Sequence, residues 1–268
     1  MTDSATSDAL ARVRFVLVNT SHPGNIGAAA RAIRTMGMRR LGLVTPHAFP
    51  HQEATALAAG ADDVLDAAVV SPSLPSAIAD CRLVLAATAR RRGVAMEQMN
   101  PREAAGRVLE ALALGHEVAL VFGNERVGLD NDEIKHCHAA IAIPSDPTYS
   151  SLNLAQAVQV VAYELRMAWL AGGEIATVAR TEQPASAQEM EGFFTHLART
   201  LDDIDFHKGR SPRTILQRLR RFFLRAQPDP RELRVLRGIL ADATRMARLA
   251  RGLGDHDRQD VTDEGNEG

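Results

Sequence analysis

The feature that most constrains this chain is a change of hydrophobic period that repeats along its first 170 residues. Short apolar runs at Val13–Val18, Leu41–Val44, Leu83–Thr88, Val118–Phe122 and Ala139–Ile143 read as strands, with Ala67–Val70 as a further short one. Between them, residues 24–36 set Ile26, Ala29, Ala30 and Ile33 at helical spacing and stop at Gly37. Residues 51–59, 72–79, Pro101–Leu112 and Asn131–His136 also read as helices, with Pro72 in the first turn of its segment. Asn153–Leu170 carries the strongest pattern, with Leu154, Val158, Val161, Leu165 and Trp169 on one stripe. Strands alternating with helices of about ten residues predict an α/β fold, a parallel sheet covered on both faces. In such sheets ligands bind beyond the carboxyl ends of the strands, so the loops there are the places to look for chemistry.

The remainder has a different character. Residues 171–186 lack periodicity and read as a linker. Residues 187–202, 212–225 and 229–251 predict three amphipathic helices. Ser211-Pro212 and Asp229-Pro230 supply a cap and a first-position proline for the last two. The segment 253–268 is acidic and predicted to be disordered. The overall charge of −2 hides this division. Residues 1–170 hold 15 Lys+Arg against 17 Asp+Glu, residues 187–252 hold 14 against 8, and residues 253–268 hold 1 against 6. A basic helical module suits a polyanion such as nucleic acid. An Arg-rich solvated face reads the same way on charge alone.

Composition removes other classes. With 46% apolar and 24% charged residues the chain is too apolar to be disordered. No apolar run reaches the ~18 residues of a membrane span. The start, MTDSATSDALARVRF, has no apolar segment of secretory type, so a cytoplasmic protein is expected. Two cysteines, Cys81 and Cys137, can build neither a disulfide framework nor a four-cysteine zinc site. One Trp and two Tyr argue against an aromatic platform for single-stranded RNA.

Three strand-to-helix junctions are rich in chemistry-bearing residues. In Asn19-Thr-Ser-His-Pro-Gly-Asn-Ile-Gly-Ala-Ala-Ala-Arg31, the residues Gly24, Asn25 and Gly27 fall where a helix start offers free N–H groups to a phosphate or carboxylate. Arg31 follows Asn25 by six residues and is expected near the same face. A glycine turn with a surface arginine is the plainer alternative. In Val121-Phe-Gly-Asn-Glu-Arg-Val-Gly-Leu129, Gly123 would let a ligand approach the backbone, and Glu125 could pair with Arg126 or Arg31. A capped turn with a local ion pair fits as well. In Ile143-Pro-Ser-Asp-Pro-Thr-Tyr-Ser-Ser-Leu-Asn153, either Ser151 or Asn153 could simply cap the long helix. A serine nucleophile is not expected there, since no GxSxG elbow is present. A fourth segment, Ala86-Ala-Thr-Ala-Arg-Arg-Arg-Gly93, puts three arginines after a strand, as an RNA-phosphate contact or as an exposed basic loop. His136-Cys137-His138 lacks the spacing of a zinc cage, and no metal is expected.

Taken together, HPGNIGAAARAIRTMG, FGNERVGL and IPSDPTYSSLNLAQAVQVVAYE resemble motifs 1, 2 and 3 of the SPOUT superfamily of RNA methyltransferases, in its TrmH branch of ribose 2′-O-methyltransferases. The third motif and the helical extension look most like the branch members that methylate tRNA nucleotide 32. The core resemblance spans roughly residues 12–170, while over 187–252 it is one of layout. It implies a SPOUT-type sheet with a C-terminal trefoil knot followed by a small all-α extension. It implies a homodimer with the site at the subunit interface, S-adenosyl-L-methionine as cofactor, no required metal, and tRNA as partner. Carried over by motif, Asn25, Arg31, Glu125, Ser151 and Asn153 would be catalytic. Thr88, Ala89, Gly123, Asn124, Ile143, Ser151 and Leu152 would hold the cofactor. Arg90, Arg91 and Arg92 with Arg213, Arg218, Arg220, Arg221 and Arg225 would contact RNA.

Three rivals stand beside this reading: a 2′-O-methyltransferase of ribosomal RNA or another tRNA position, a silent RNA-binding dimer of the same fold, and a nicotinamide-dependent dehydrogenase. The last lacks GxGxxG and the acidic residue about 20 positions on. Arg31, Ser151 and Asn153 all stand at their motif positions, which argues against silence.

Overall fold

A computed structural model describes residues 9–88, 96–172 and 183–263, with side chains to residue 251. It divides into two compact units, 1–188 and 189–268.

The first unit holds seven strands: β1 (Val13–Val18), β2 (Arg40–Val44), β3 (Val69–Ser71), β4 (Leu83–Ala87), β5 (Gln98–Met99), β6 (Val118–Phe122) and β7 (Ala139–Ile141). All are parallel, in the order β3-β2-β1-β6-β4-β7-β5. The helices are α1 (Pro23–Thr35), α2 (Gln52–Ala58), α3 (Asp62–Asp66), α4 (Leu74–Ala77), α5 (Pro101–Ala113), α6 (Asn131–Ile134) and α7 (Leu154–Gly172).

Period-2 alternation sorts the strand residues onto two faces. Val13, Phe15, Leu17, Leu83, Leu85, Leu120 and Phe122 meet α1, α5 and α7 in one core, where Phe15 and Phe122 stack at 6.2 Å between ring centroids. The smaller Val16, Val18, Val84, Ala86, Ala119 and Val121 meet Leu74, Ile78, Leu129 and Ile134 in the other. Burial on both faces is why the strands read as continuous apolar runs rather than alternating ones. The stripe Leu154, Val158, Val161, Leu165 and Trp169 is buried as expected. Burying side chains of this kind is worth about 1.5–3 kcal/mol each, so packing more than propensity holds α7 in place.

The structure corrects several boundaries. The short α3 and the two-residue β5 were not predicted. The helix expected over 72–79 shrinks to α4, with Ser73 as its N-cap and Pro75 rather than Pro72 in its first turn. The strand expected to reach Ile143 ends at Ile141. Most of the linker region, 173–182, lies outside the described residues.

The second unit is built on α8 (Ala187–Asp203), α9 (Pro212–Ala226) and α10 (Pro230–Asp263). Phe193, Phe194, Leu197 and Leu201 are buried along α8, and the Phe193 and Phe223 rings meet edge-on at 4.8 Å. The helix α10 runs on through the acidic segment to Asp263, past Gly252, where helix was expected to give way to disorder. A glycine near a helix end costs only about 1 kcal/mol, which neighbouring helix formers can override.

Candidate active site

The strand order reverses between β1 and β6, and the loops leaving these two strands meet. Asn19 turns the chain at the end of β1 with φ 52°, a left-handed conformation that Asn tolerates better than most residues. Its carbonyl accepts a hydrogen bond from Asn124 Nδ2 at 2.7 Å, and the same amide also reaches Ser21 Oγ at 2.7 Å. Asn19 Nδ2 donates to Glu133 Oε1 at 3.1 Å, and Thr45 Oγ1 donates to Asn19 Oδ1. This one residue therefore ties the ends of β1, β2 and β6 to the start of α6.

Glu125 sits in the middle of the junction. Its carboxylate accepts from the Ser21 N–H at 3.0 Å, the His22 N–H at 3.3 Å and Asn25 Nδ2 at 2.8 Å. Partial burial pushes its carboxyl up, but these hydrogen bonds outweigh burial and hold it below the ordinary carboxylate value. The anion at the start of α1 is thus the protein's own side chain. The N–H groups it takes are those of Ser21 and His22, just ahead of the Gly24, Asn25 and Gly27 positions expected to receive an anion, and the ion pair expected for Glu125 with Arg31 or Arg126 is replaced by three neutral donors.

Asn25 passes the connection on. Its Oδ1 accepts from Asn153 Nδ2 at 2.9 Å, while Asn153 Oδ1 accepts from the Ala155 N–H at 2.9 Å. The residue that caps α7 is therefore also the one that reaches motif 1, so both readings of Asn153 hold together. Arg31 does not join this group. Six residues at about 100° each turn it roughly 120° away from Asn25 around α1. It is exposed, and its guanidinium has no hydrogen-bond or ion-pair partner among the described residues.

Beside this chain lies an open cleft of about 140 Å³. Its apolar lining comes from the ends of three adjacent strands and the start of α7: Ala87, Phe122, Ile141, Leu154 and Ala157. Thr88, Gly123, Asn124, Ile143, Ser151 and Leu152, all expected to hold the cofactor, also line it. Ala89 and the Arg90–Arg92 run fall outside the described residues.

Sequence reasoning missed Asn19, Ser150 and Arg126, although each flanks a motif residue. Two glycines of the motifs also have packing tasks that the sequence did not show. A Cβ on Gly123 would lie 2.2 Å from Leu129 N, because the loop folds back on itself through the Asn124–Gly128 bridge. A Cβ on Gly27 would lie 1.9 Å from the Ala54 carbonyl oxygen, so this glycine serves the contact of α1 with α2 rather than a ligand.

Of the expected RNA-contacting arginines on α9, Arg213, Arg218, Arg221 and Arg225 are exposed. Arg220 is engaged within the unit: it pairs with Glu191 and lies 4.2 Å from the centroid of the Phe194 ring. Among the described residues no three His, Cys, Asp or Glu side chains are grouped to hold a metal. His138 is half-buried, and the loss of solvent around its ring pushes its imidazole down to about 4. Its Nδ1 accepts from the Val84 N–H at 3.1 Å, a structural role.

Comparison with known proteins bears on the same two regions. Residues 12–163 match the model of the SpoU rRNA Methylase family, and residues 188–252 match that of the tRNA methyltransferase TrmJ, C-terminal domain. The chain is 47% identical over 247 residues to the tRNA (cytidine/uridine/adenosine-2′-O-)-methyltransferase TrmJ of Pseudomonas aeruginosa, covering 89% of this chain and 96% of that one. It is 48% identical over 235 residues to the tRNA (cytidine/uridine-2′-O-)-methyltransferase TrmJ of Salmonella typhimurium, covering 87% and 96%. The crystal structure of TrmJ from Z. mobilis superposes with a TM-score of 0.75 at 37% identity, covering 85% of this chain and 97% of that one. With both of its regions matched and nearly the whole length of its relatives covered, the chain belongs to the SpoU methylase family and, within it, to the TrmJ group.

Proposed function

We propose that this chain is an S-adenosyl-L-methionine-dependent tRNA ribose 2′-O-methyltransferase. It acts at nucleotide 32 of the anticodon loop, on cytidine, uridine or both, as a cytoplasmic homodimer. The observation that carries this reading is the hydrogen-bonded chain from Glu125 through Asn25 to Asn153, which joins all three motifs beside one cleft.

The residues present fit the cofactor. An apolar floor of Phe122, Ile141, Leu154 and Ala157 suits a purine, and Asn124, Thr88, Ser150 and Ser151 offer polar groups at the rim. When bound, S-adenosyl-L-methionine supplies an electrophilic methyl group on a sulfonium, which leaves as a neutral thioether without metal assistance. The difficulty lies with the ribose hydroxyl, a poor nucleophile while it holds its proton. A guanidinium such as that of Arg31 is a poor free base. Its role is to grip the RNA phosphate and stabilise the negative charge that develops on the 2′-oxygen, a phosphate oxygen taking the proton. Ser151 and Asn153 position the phosphate and ribose, and Glu125 holds motif 1 against motif 2.

A homodimer is part of this proposal. Arg31 stands apart from its own Asn25–Asn153 pair, and a site formed between subunits would let it serve the partner. On α7, Tyr163, Met167 and Leu170 are exposed at positions i, i+4 and i+7, an apolar stripe suited to a second copy. The trefoil knot is part of the same proposal. The insertion of β6 between β1 and β4, with β7 on the far side of β4, is a crossing pattern that accommodates it. Residues 12–170 carry the catalysis, and residues 187–252 extend the tRNA surface through Arg213, Arg218, Arg221 and Arg225.

The test is methyl transfer from S-adenosyl-L-methionine to a purified tRNA transcript. Wild type transfers one methyl to the ribose of nucleotide 32. Arg31→Ala abolishes turnover and leaves cofactor affinity nearly intact. Substantial turnover by Arg31→Ala would refute its assignment.

A further inference from the structure

Among its described residues the cleft is lined by one acid and one base, Glu125 and Arg126. The three hydrogen bonds to Glu125 account for the acid. Nothing comparable accounts for the base. The Arg126 backbone is fixed: its N–H donates to Asn124 Oδ1 at 2.9 Å, and the Gly128 N–H closes the loop onto the Asn124 carbonyl at 2.8 Å. Its guanidinium, by contrast, is exposed and has no hydrogen-bond or ion-pair partner among the described residues. A rigid loop thus carries an uncommitted planar cation beside a cleft whose other polar side chains, Glu125 apart, are neutral hydroxyls and an amide. A guanidinium in that position matches a carboxylate in two parallel hydrogen bonds.

We propose that Arg126 is a further binding residue of this site, receiving the carboxylate at the amino-acid end of the cofactor. The proposal rests on the cleft being the S-adenosyl-L-methionine pocket. Arg126 then has a task different from that of Arg31. It anchors the cofactor's flexible tail from the motif 2 loop, and Arg31 addresses the RNA.

Two probes separate the carboxylate from the rest of the ligand. S-adenosylhomocysteine carries it, while 5′-methylthioadenosine keeps the nucleoside and thioether but lacks the amino-acid end. Calorimetric titration of the full chain compares wild type, Arg126→Ala and Arg126→Lys. Arg126→Ala weakens S-adenosylhomocysteine about tenfold, the worth of one charge-assisted hydrogen bond, and leaves 5′-methylthioadenosine unchanged. Arg126→Lys loses less than Arg126→Ala. Equal losses for both probes, or no loss for either, overturn the proposal. A loss seen only in tRNA affinity also overturns it and assigns Arg126 to the RNA. Leu152→Trp, a change at a partly exposed lining residue, fills the cleft and weakens both probes. If Leu152→Trp binds both as wild type does, the pocket reading itself fails, whatever Arg126 shows.

Discussion

Glu125 and Asn153 each perform a structural task in the fold, and the proposed catalysis would give each a second one. A carboxylate accepting two backbone N–H groups and an amide is held ionised, and its contribution is present at neutral pH. Because its folded pKa is depressed, that contribution is lost only as pH falls from the ordinary value of 4.5 through the lower folded one. Glu125→Gln replaces a charged acceptor with an amide that can offer only one oxygen to three donors. We predict a fall in kcat of at least about tenfold with a small drop in Tm, measured by steady-state methylation and thermal melting. Unchanged kcat would reduce Glu125 to a structural tie. Motif positions made these residues legible in the sequence. Their partners were not, since nothing local says that Glu125 points at Ser21 and Asn25, about 100 positions away. Asn19 was legible only as the end of a strand, because its left-handed turn and its four-way bonding arise from tertiary closure.

At the scale of elements, periodicity located six of the seven strands and the long helices, because those patterns are set by burial. It missed α3 and β5, which are too short to carry a period of their own. The glycines of motif 1 show the limit of local reading. Gly24-x-x-Gly27 has the look of a ligand loop, yet Gly27 is required by the approach of α2. Gly27→Ala drives a Cβ into the Ala54 carbonyl, and backbone on both sides must move. We predict destabilisation of about 1–3 kcal/mol in urea unfolding. A variant as stable as wild type would mean that α1 and α2 can separate at little cost. On α9, Arg218, Arg221 and Arg225 share one exposed stripe at i, i+3 and i+7, whereas Arg220 faces Glu191 and Phe194. Charge counting alone could not tell the structural arginine from the exposed ones. Reversing the three exposed residues to Glu should weaken tRNA binding and flatten its salt dependence, since fewer counterions are then released. Equal binding and salt slope would assign the helix to assembly or stability.

At the scale of the whole molecule, a mildly acidic α/β unit with an open cleft is joined in one chain to a basic helical unit. The fold class followed from strand and helix alternation; the two compact units divide after Gln188, close to the shift in charge and period at 187. The course of the acidic segment did not follow, since composition suggested disorder where α10 continues to Asp263. No helix among the described residues is long and apolar enough to cross a membrane. In cells, the proposed activity is methylation of the ribose of tRNA nucleotide 32. The direct measurement is nucleoside mass spectrometry of tRNA from cells with and without the gene. Loss of 2′-O-methylcytidine or 2′-O-methyluridine at nucleotide 32 is expected, restored by wild type and not by Arg31→Ala. An unchanged tRNA profile would contradict the proposed activity and move the substrate to another RNA.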